Sequence, residues 1–272
     1  MTVLAASDGT ELYAEAHGSG LPVLFSCAFA TTCENWRPQV EPLVAAGARV
    51  ILWDYRAHGR SGVPDSEDGY SMAHVVDDLG RVLDWAAPEE PAVLAGLSFG
   101  GLASLHYALQ QPERVCGLVL VGSGPGFKKA EAQERWQAQV EKTAQILAAK
   151  GCEALISGRG AATAIGRHPE LPAAAAAGRA IAAQDPIALG FFGRRITGPA
   201  DAVIDDLPNI TVPSLVVVGE HDAAFQRAAE VMTARLPHAC LERIPGAGHI
   251  VNIEAEEVFN RKVVDFVTAL KG

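Results

Sequence analysis

The stretch Ala92-Val93-Leu94-Ala95-Gly96-Leu97-Ser98-Phe99-Gly100-Gly101 is an apolar run that passes through Gly-x-Ser-x-Gly into a helical pattern. A sharp turn from strand to helix puts the central serine in a strained backbone conformation, and the residues two positions to either side have to be small. The Ser98 hydroxyl would then project from the carboxyl end of a sheet, above a helix N-terminus. Free N–H groups and the helix dipole favour developing negative charge there. The five-residue string alone would suit an ordinary glycine-rich turn. The strand before it and the helix after it select a nucleophile.

A serine hydroxyl is a weak nucleophile at neutral pH and needs a base, which in turn needs an orienting carboxylate. After a turn of this kind the expected chain order is serine, acid, histidine. Five histidines follow Ser98: His106, His168, His221, His238 and His249. His106 falls on the helix directly after Ser98, His168 in an Ala-rich interval, and His238 in a turn before a strand. His249 ends Ile244-Pro245-Gly246-Ala247-Gly248-His249, after the last strand and before a helix, and is the expected base. A lone loop histidine is ordinarily a solvated surface residue; position and order count against that here. For the acid, Val216-Val217-Val218-Gly219-Glu220-His221-Asp222 sets polar residues directly after an apolar strand. Asp222 is the choice and Glu220 the runner-up, although Asp222 could also cap a helix beginning near Ala223. His221 is a rival base, disfavoured because adjacent side chains diverge. A tetrahedral oxyanion also needs two backbone donors. Phe99 N–H, after the nucleophile, is one. Phe29 N–H, in the loop Phe25-Ser26-Cys27-Ala28-Phe29-Ala30-Thr31, is the other by position.

The elements that have to position these residues are legible as alternation. Strands are expected at Leu12–His17, Pro22–Cys27, Arg49–Asp54, Ala92–Leu97, Val115–Val121, Ser214–Val218 and Cys240–Ile244. Several are continuous apolar runs, as in parallel strands covered on both faces. Helices are expected at Trp36–Ala46, Ser71–Ala86, Phe99–Gln110, Phe225–Leu236 and Asn252–Leu270, the last with Asn252 as cap and Glu254–Glu257 in its first turn. This is an α/β architecture with a mostly parallel sheet. Residues 127–206 break the alternation: the interval is Ala-rich and helical in pattern, with no convincing strand. Trp136, Ile146, Leu147, Leu155, Phe191 and Phe192 anchor it more firmly than a linker would be. It reads as a helical lid on a core made of residues 1–126 and 207–272, with Ala173–Ala177 as a surface helix.

With these residues in place, the chain resembles the α/β-hydrolase superfamily over nearly its whole length outside the lid. Gly96–Gly101 looks like the nucleophile elbow, Asp54-Tyr55-Arg56-Ala57-His58-Gly59-Arg60-Ser61 like the D-x-R-G-H-G-x-S segment, Gly219–Asp222 like the acid loop and Gly246–Glu254 like the histidine loop. The C-terminal patterns are similar to enol-lactonases and small-ester hydrolases. The resemblance implies that His58 belongs to a structural loop and is not a base. It also implies hydrolysis of a carboxylic ester, lactone or thioester through an acyl-serine, with no metal or organic cofactor. Cys27-Ala28 stands where many relatives carry His-Gly, and Ala57 where Gly is usual. The alternatives are C–C bond hydrolysis or cofactor-free perhydrolysis with the same three residues, or a ligand receptor on the same scaffold. Phe127, Trp136, Phe191 and Phe192, with Phe29 and Phe99, could line an apolar substrate pocket between core and lid; each lid aromatic could equally pack the lid's own helices. Arg194-Arg195 could meet an anionic substrate or form a solvated face.

Composition agrees. The chain has 272 residues, 49% of them hydrophobic, 22 Lys+Arg against 32 Asp+Glu, and a net charge of −10. That much apolar surface excludes a disordered chain, and the acidic balance argues against nucleic-acid binding, which needs a cationic surplus. No apolar run is long enough for a bilayer, and Met1–Leu12 does not read as a secretory signal. Five scattered cysteines without Cys-x-x-Cys spacing fit a reducing cytoplasm and small buried side chains. The expected partner is a small molecule, and nothing specifies an oligomeric state.

Overall fold

A computed structural model describes residues 1–271, the Arg159 side chain excepted. Eight strands form one sheet: β1 (Thr2–Ala5), β2 (Glu11–Gly18), β3 (Leu21–Ser26), β4 (Ala48–Trp53), β5 (Ala92–Leu97), β6 (Val115–Val121), β7 (Ser214–Gly219) and β8 (Ala239–Ile244). Their order is β1-β2-β4-β3-β5-β6-β7-β8. The β1–β2 and β2–β4 pairs are antiparallel, and every pair from β4 to β8 is parallel. Strands β5 and β7 are buried at every position, which is why they read as unbroken apolar runs instead of alternating ones.

Ten α-helices accompany them among the described residues: α1 (Arg37–Ala45), α2 (Met72–Ala86), α3 (Phe99–Gln110), α4 (Ala130–Lys150), α5 (Ala161–Ala164), α6 (Pro172–Ala182), α7 (Pro186–Phe192), α8 (Gln226–Arg235), α9 (Val251–Glu254) and α10 (Glu256–Ala269). In α2, Ser71 caps the first turn by accepting from the His74 N–H at 3.2 Å, and Val75, Val76, Leu79, Val82 and Leu83 form its buried stripe. The fold is the expected α/β one, and α4 to α7 all lie in the interval between β6 and β7.

Four details differ from the sequence expectations. Strand β1 lies outside the expected set, because four residues with alternately exposed side chains carry no core signal. The C-terminal helix is broken at Ala255, whose backbone (φ −133°, ψ 49°) is non-helical. Asn252 is therefore not a cap: its side chain is buried, donating to Asn35 O and to Gln39 Oε1 at 3.1 Å. The Ala173–Ala177 run is not merely a surface helix either, since Ala174 and Ala177 face inward with Ile181, and small side chains let α6 approach closely.

Candidate active site

Strand β5 ends at Leu97 and α3 begins at Phe99, leaving Ser98 as the whole turn, at φ 54° and ψ −114°. No L-residue rests easily there, so the surroundings must hold it. Ser98 N–H donates to Val121 O of β6 at 2.8 Å, and the Ser123 hydroxyl donates to Ser98 O at 2.6 Å. The flanking glycines are required sterically. A Cβ at Gly96 would strike the Gly100 backbone, and one at Gly100 would strike Ser26 O.

Asp222 lies in the turn after β7 and His249 in the loop after β8. Both are buried, and His249 Nδ1 donates to Asp222 Oδ2 at 2.8 Å. That bond fixes the tautomer and leaves the Nε2 lone pair as the basic position. Both side chains close over Gly122, whose added Cβ would lie 3.1 Å from Asp222 Oδ2 and 3.1 Å from His249 Nδ1. Because Gly122 directly follows the Val121 carbonyl that holds Ser98, the three residues converge on the carboxyl end of β6. Among the described residues no hydrogen bond joins Ser98 Oγ to His249; such bonds are often long or poorly aligned until substrate binds. Glu220, the other candidate acid, is exposed and accepts from Gly246 N–H at 2.8 Å, steadying the histidine loop. His221 is exposed. Asp222 does not cap α8: the residue before that helix is Phe225, and the Asp222 carboxylate faces His249.

The two expected donors, Phe99 N–H and Phe29 N–H, come from α3 and from the β3–α1 loop. Phe99 is the first residue of α3, so its N–H has no intrahelical acceptor. In the β3–α1 loop, Ala28 O accepts from both Thr31 N–H (3.1 Å) and Thr31 Oγ1 (3.0 Å), which sets the direction of the opposite end of that peptide, Phe29 N–H. Ala30 N–H is already committed to His58 Nε2 at 3.0 Å. Among the described residues Phe29 N–H makes no hydrogen bond, so it is free to act as the donor expected of this loop. The left-handed residue of the loop is Ala30 (φ 62°), not Ala28.

His58 is enclosed completely, with Nδ1 against Arg56 O at 3.1 Å and Nε2 against Ala30 N–H. Both ring nitrogens are occupied, and burial pushes its pKa down to about 4, so it is neutral and structural, as the loop resemblance implies. The same loop is tied down by Arg56, which donates twice to Asp78 at 2.7 Å with both side chains buried. Ala57 is left-handed (φ 63°) and buried in the core, which explains the glycine usual at that position and puts backbone strain on the alanine that replaces it.

The six expected aromatics separate into three groups. Phe29, Phe99 and Phe192 meet: Phe192 stacks on Phe29 at 6.1 Å and meets Phe99 edge-on at 5.4 Å, with Tyr55 and His58 against the same ring. Phe127 and Trp136 pair with each other at 6.0 Å, and the Trp136 indole donates to Thr197 O at 2.8 Å. Phe191 packs on Tyr70. Arg194 is paired with Glu141 at 2.7 Å on the surface. One residue the sequence did not suggest is Phe225, whose ring stacks on the His249 imidazole at 5.0 Å and 23°; only the folded acid loop brings them together. Among the described residues no three His, Cys, Asp or Glu side chains are grouped to hold a metal ion. No described helix is long and apolar enough to cross a membrane, and all five cysteines are free.

Residues 23–256 match the family described as serine aminopeptidase, S33. Among curated relatives, the putative carbamate hydrolase RutD of Azorhizobium caulinodans is 31% identical over 265 residues, covering 94% of this chain and 94% of the relative. Among solved structures, the esterase EaEST of Exiguobacterium antarcticum superposes with a TM-score of 0.84 at 26% identity, covering 100% of this chain and 99% of the other. The enol-lactonase of Burkholderia xenovorans LB400 shares the fold with a TM-score of 0.81 at 24% identity, covering 98% and 100%. The strand-turn-helix serine and the sheet order agree with these matches: the chain is a hydrolase and belongs to the S33 family of the α/β-hydrolase superfamily.

Proposed function

We propose that the chain is a serine hydrolase that cleaves a carboxylic ester, lactone or thioester through an acyl-serine intermediate. Ser98 Oγ attacks the carbonyl carbon while His249 Nε2 takes its proton. The tetrahedral oxyanion is received by Phe29 and Phe99 N–H, and collapse expels the alkoxide or thiolate, which takes the proton back from His249. Water, deprotonated by the same imidazole, then attacks the acyl-serine and releases the acid and free Ser98. Asp222 keeps Nδ1 protonated and stabilises the transient imidazolium. Apart from the substrate and the water, every group proposed for this cycle is a residue of the chain.

The observation that supports the reading most is the pairing of a strained Ser98 (φ 54°), held against β6, with a buried His249–Asp222 couple, 2.8 Å apart, closing over the end of that same strand. Residues 127–206 are proposed to act as a lid on a core of residues 1–126 and 207–272. Phe192, at the end of α7, is fully buried, so it does not itself face a substrate as the sequence suggested; it packs against Phe29 and Phe99 and backs the apolar surface those two rings are proposed to offer a small acyl group. The test is a panel of p-nitrophenyl esters of increasing acyl length, simple lactones, a thioester and an aryl carbamate, assayed on wild type and Ser98→Ala. Short acyl esters or lactones are expected to turn over, with loss of at least ~10³-fold in the variant, about 4 kcal/mol of transition-state stabilisation. Turnover retained in Ser98→Ala would overturn the assignment. Turnover of the carbamate alone would move the scissile bond while keeping the residues.

A further inference from the structure

The β3–α1 loop carries the Phe29 donor, yet its backbone is strained at Ala30, a non-glycine residue at φ 62°. Such a conformation persists only where neighbours over-determine it. Two side chains from distant parts of the chain do so here, one on each side of the Ala30 Cα. On the amide side, His58 Nε2 accepts from Ala30 N–H at 3.0 Å. On the carbonyl side, Gln184 Nε2 donates to Ala30 O at 2.9 Å. The other end of the Gln184 amide accepts from Gly59 N–H at 2.9 Å, so one carboxamide bridges the donor loop and the loop that carries His58. Gln184 is buried and lies between α6 and α7, outside the sheet. Its own carbonyl accepts from Cys152 Sγ at 3.4 Å, which anchors its backbone.

We propose that Gln184 is a positioning residue for the oxyanion site: with His58 it holds the Phe29–Ala30–Thr31 backbone so that Phe29 N–H is aimed before substrate arrives. The helical segment between β6 and β7 thus contributes to the chemistry, and not only to the walls around it. The amide is suited to the task because it must donate to a carbonyl and accept from an N–H at once; a carboxylate or hydrocarbon of the same size meets only one of these needs or neither. This rests on the acyl-serine reading above. An oxyanion contact is made in the transition state and not in the ground state, so loosening its donor lowers kcat and spares KM.

The experiment measures kcat, KM and the thermal midpoint with p-nitrophenyl acetate for Gln184→Met, which at similar volume removes the bonds to Ala30 O and Gly59 N–H together with the local one to Ile181 O, and Gln184→Glu, which keeps an acceptor for Gly59 N–H but loses the donor to Ala30 O. Ser98→Ala is run beside them. With Ser98→Ala silent, both variants are expected to lose about 10- to 100-fold in kcat, as a displaced catalytic group does, with KM within about twofold and folded protein retained. Wild-type kcat in both variants, a rise in KM at unchanged kcat, or loss of the folded state in both would each overturn the positioning role while leaving the acyl-serine reading intact. Turnover in Ser98→Ala would instead remove that reading itself.

Discussion

Asp222 and Glu220 are two residues apart in the same loop, and residue type cannot rank them. The backbone turn after β7 does: Asp222 is turned inward to His249 at 2.8 Å, whereas Glu220 is turned outward to Gly246 N–H. Asp222→Asn keeps the shape but favours the wrong imidazole tautomer, so kcat on a short ester is expected to fall by about 10²- to 10⁴-fold with the fold unchanged. Activity within a few-fold of wild type would mean that the couple plays no part in proton transfer. His58 gives a stability prediction of defined sign. The folded protein keeps it neutral down to about pH 4, against 6.5 for the free side chain. Between those values the unfolded chain binds the extra proton, so stability falls as pH drops through the window and levels off below it. The cost is about 3 kcal/mol in all. Urea midpoints measured from pH 7 to pH 4 should fall less steeply for His58→Gln than for wild type; equal slopes would show that His58 is protonated in the folded state. That His58 and Gln184 meet at Ala30 could not be read in advance, because they approach it from 28 and 154 residues away and no local pattern records such a pairing.

At the scale of elements, the parallel strands and the helices flanking the sheet were legible because burial on both faces or along one stripe writes itself into hydrophobic period; α4, the longest helix, was legible only as part of a helical interval. The exceptions had physical causes. β1 contributes pairing without a buried face, and the break at Ala255 has no helix-breaking residue to announce it. The turn at Ser98 permits a sharp test. A methyl group placed on the Gly100 Cα would meet Ser26 O and lie 2.7 Å from Cys27 O, both backbone atoms that cannot swing aside. Gly100→Ala is therefore expected to destabilise by about 2–3 kcal/mol through overpacking between α3 and the end of β3. An unchanged denaturation midpoint would contradict the close approach. Ala57→Gly goes the other way: relief of the left-handed strain at φ 63° is expected to raise stability by about 1 kcal/mol. A lower melting point in that variant would show that the methyl group contributes more by packing than its backbone costs.

Across the whole molecule, buried amides tie the helices that flank the sheet to the segment between β6 and β7. Gln39 of α1 donates to Asn252 O (3.0 Å) and Asn260 Oδ1 (2.8 Å), Asn260 donates to Pro38 O, and Asn35 donates to Ala164 O of α5 at 3.0 Å. Asn252 sits at the centre, donating to Asn35 O and Gln39 Oε1. Asn252→Leu strips two buried acceptors of their donor and is expected to cost about 2–4 kcal/mol, seen as a lower urea midpoint at unchanged slope. A midpoint equal to wild type would mean the network is dispensable. A polar residue in a helical sequence looks like a cap or a solvated face, which is why this centre was legible only in three dimensions. The central chemical claim is that Ser98 alone is made reactive, by His249. It is tested most directly by treating the protein with a fluorophosphonate and mapping the adduct by mass spectrometry. The expected result is one adduct per chain, on the peptide bearing Ser98, formed far more slowly in His249→Ala. An adduct on another residue, or equally fast labelling without His249, would contradict it.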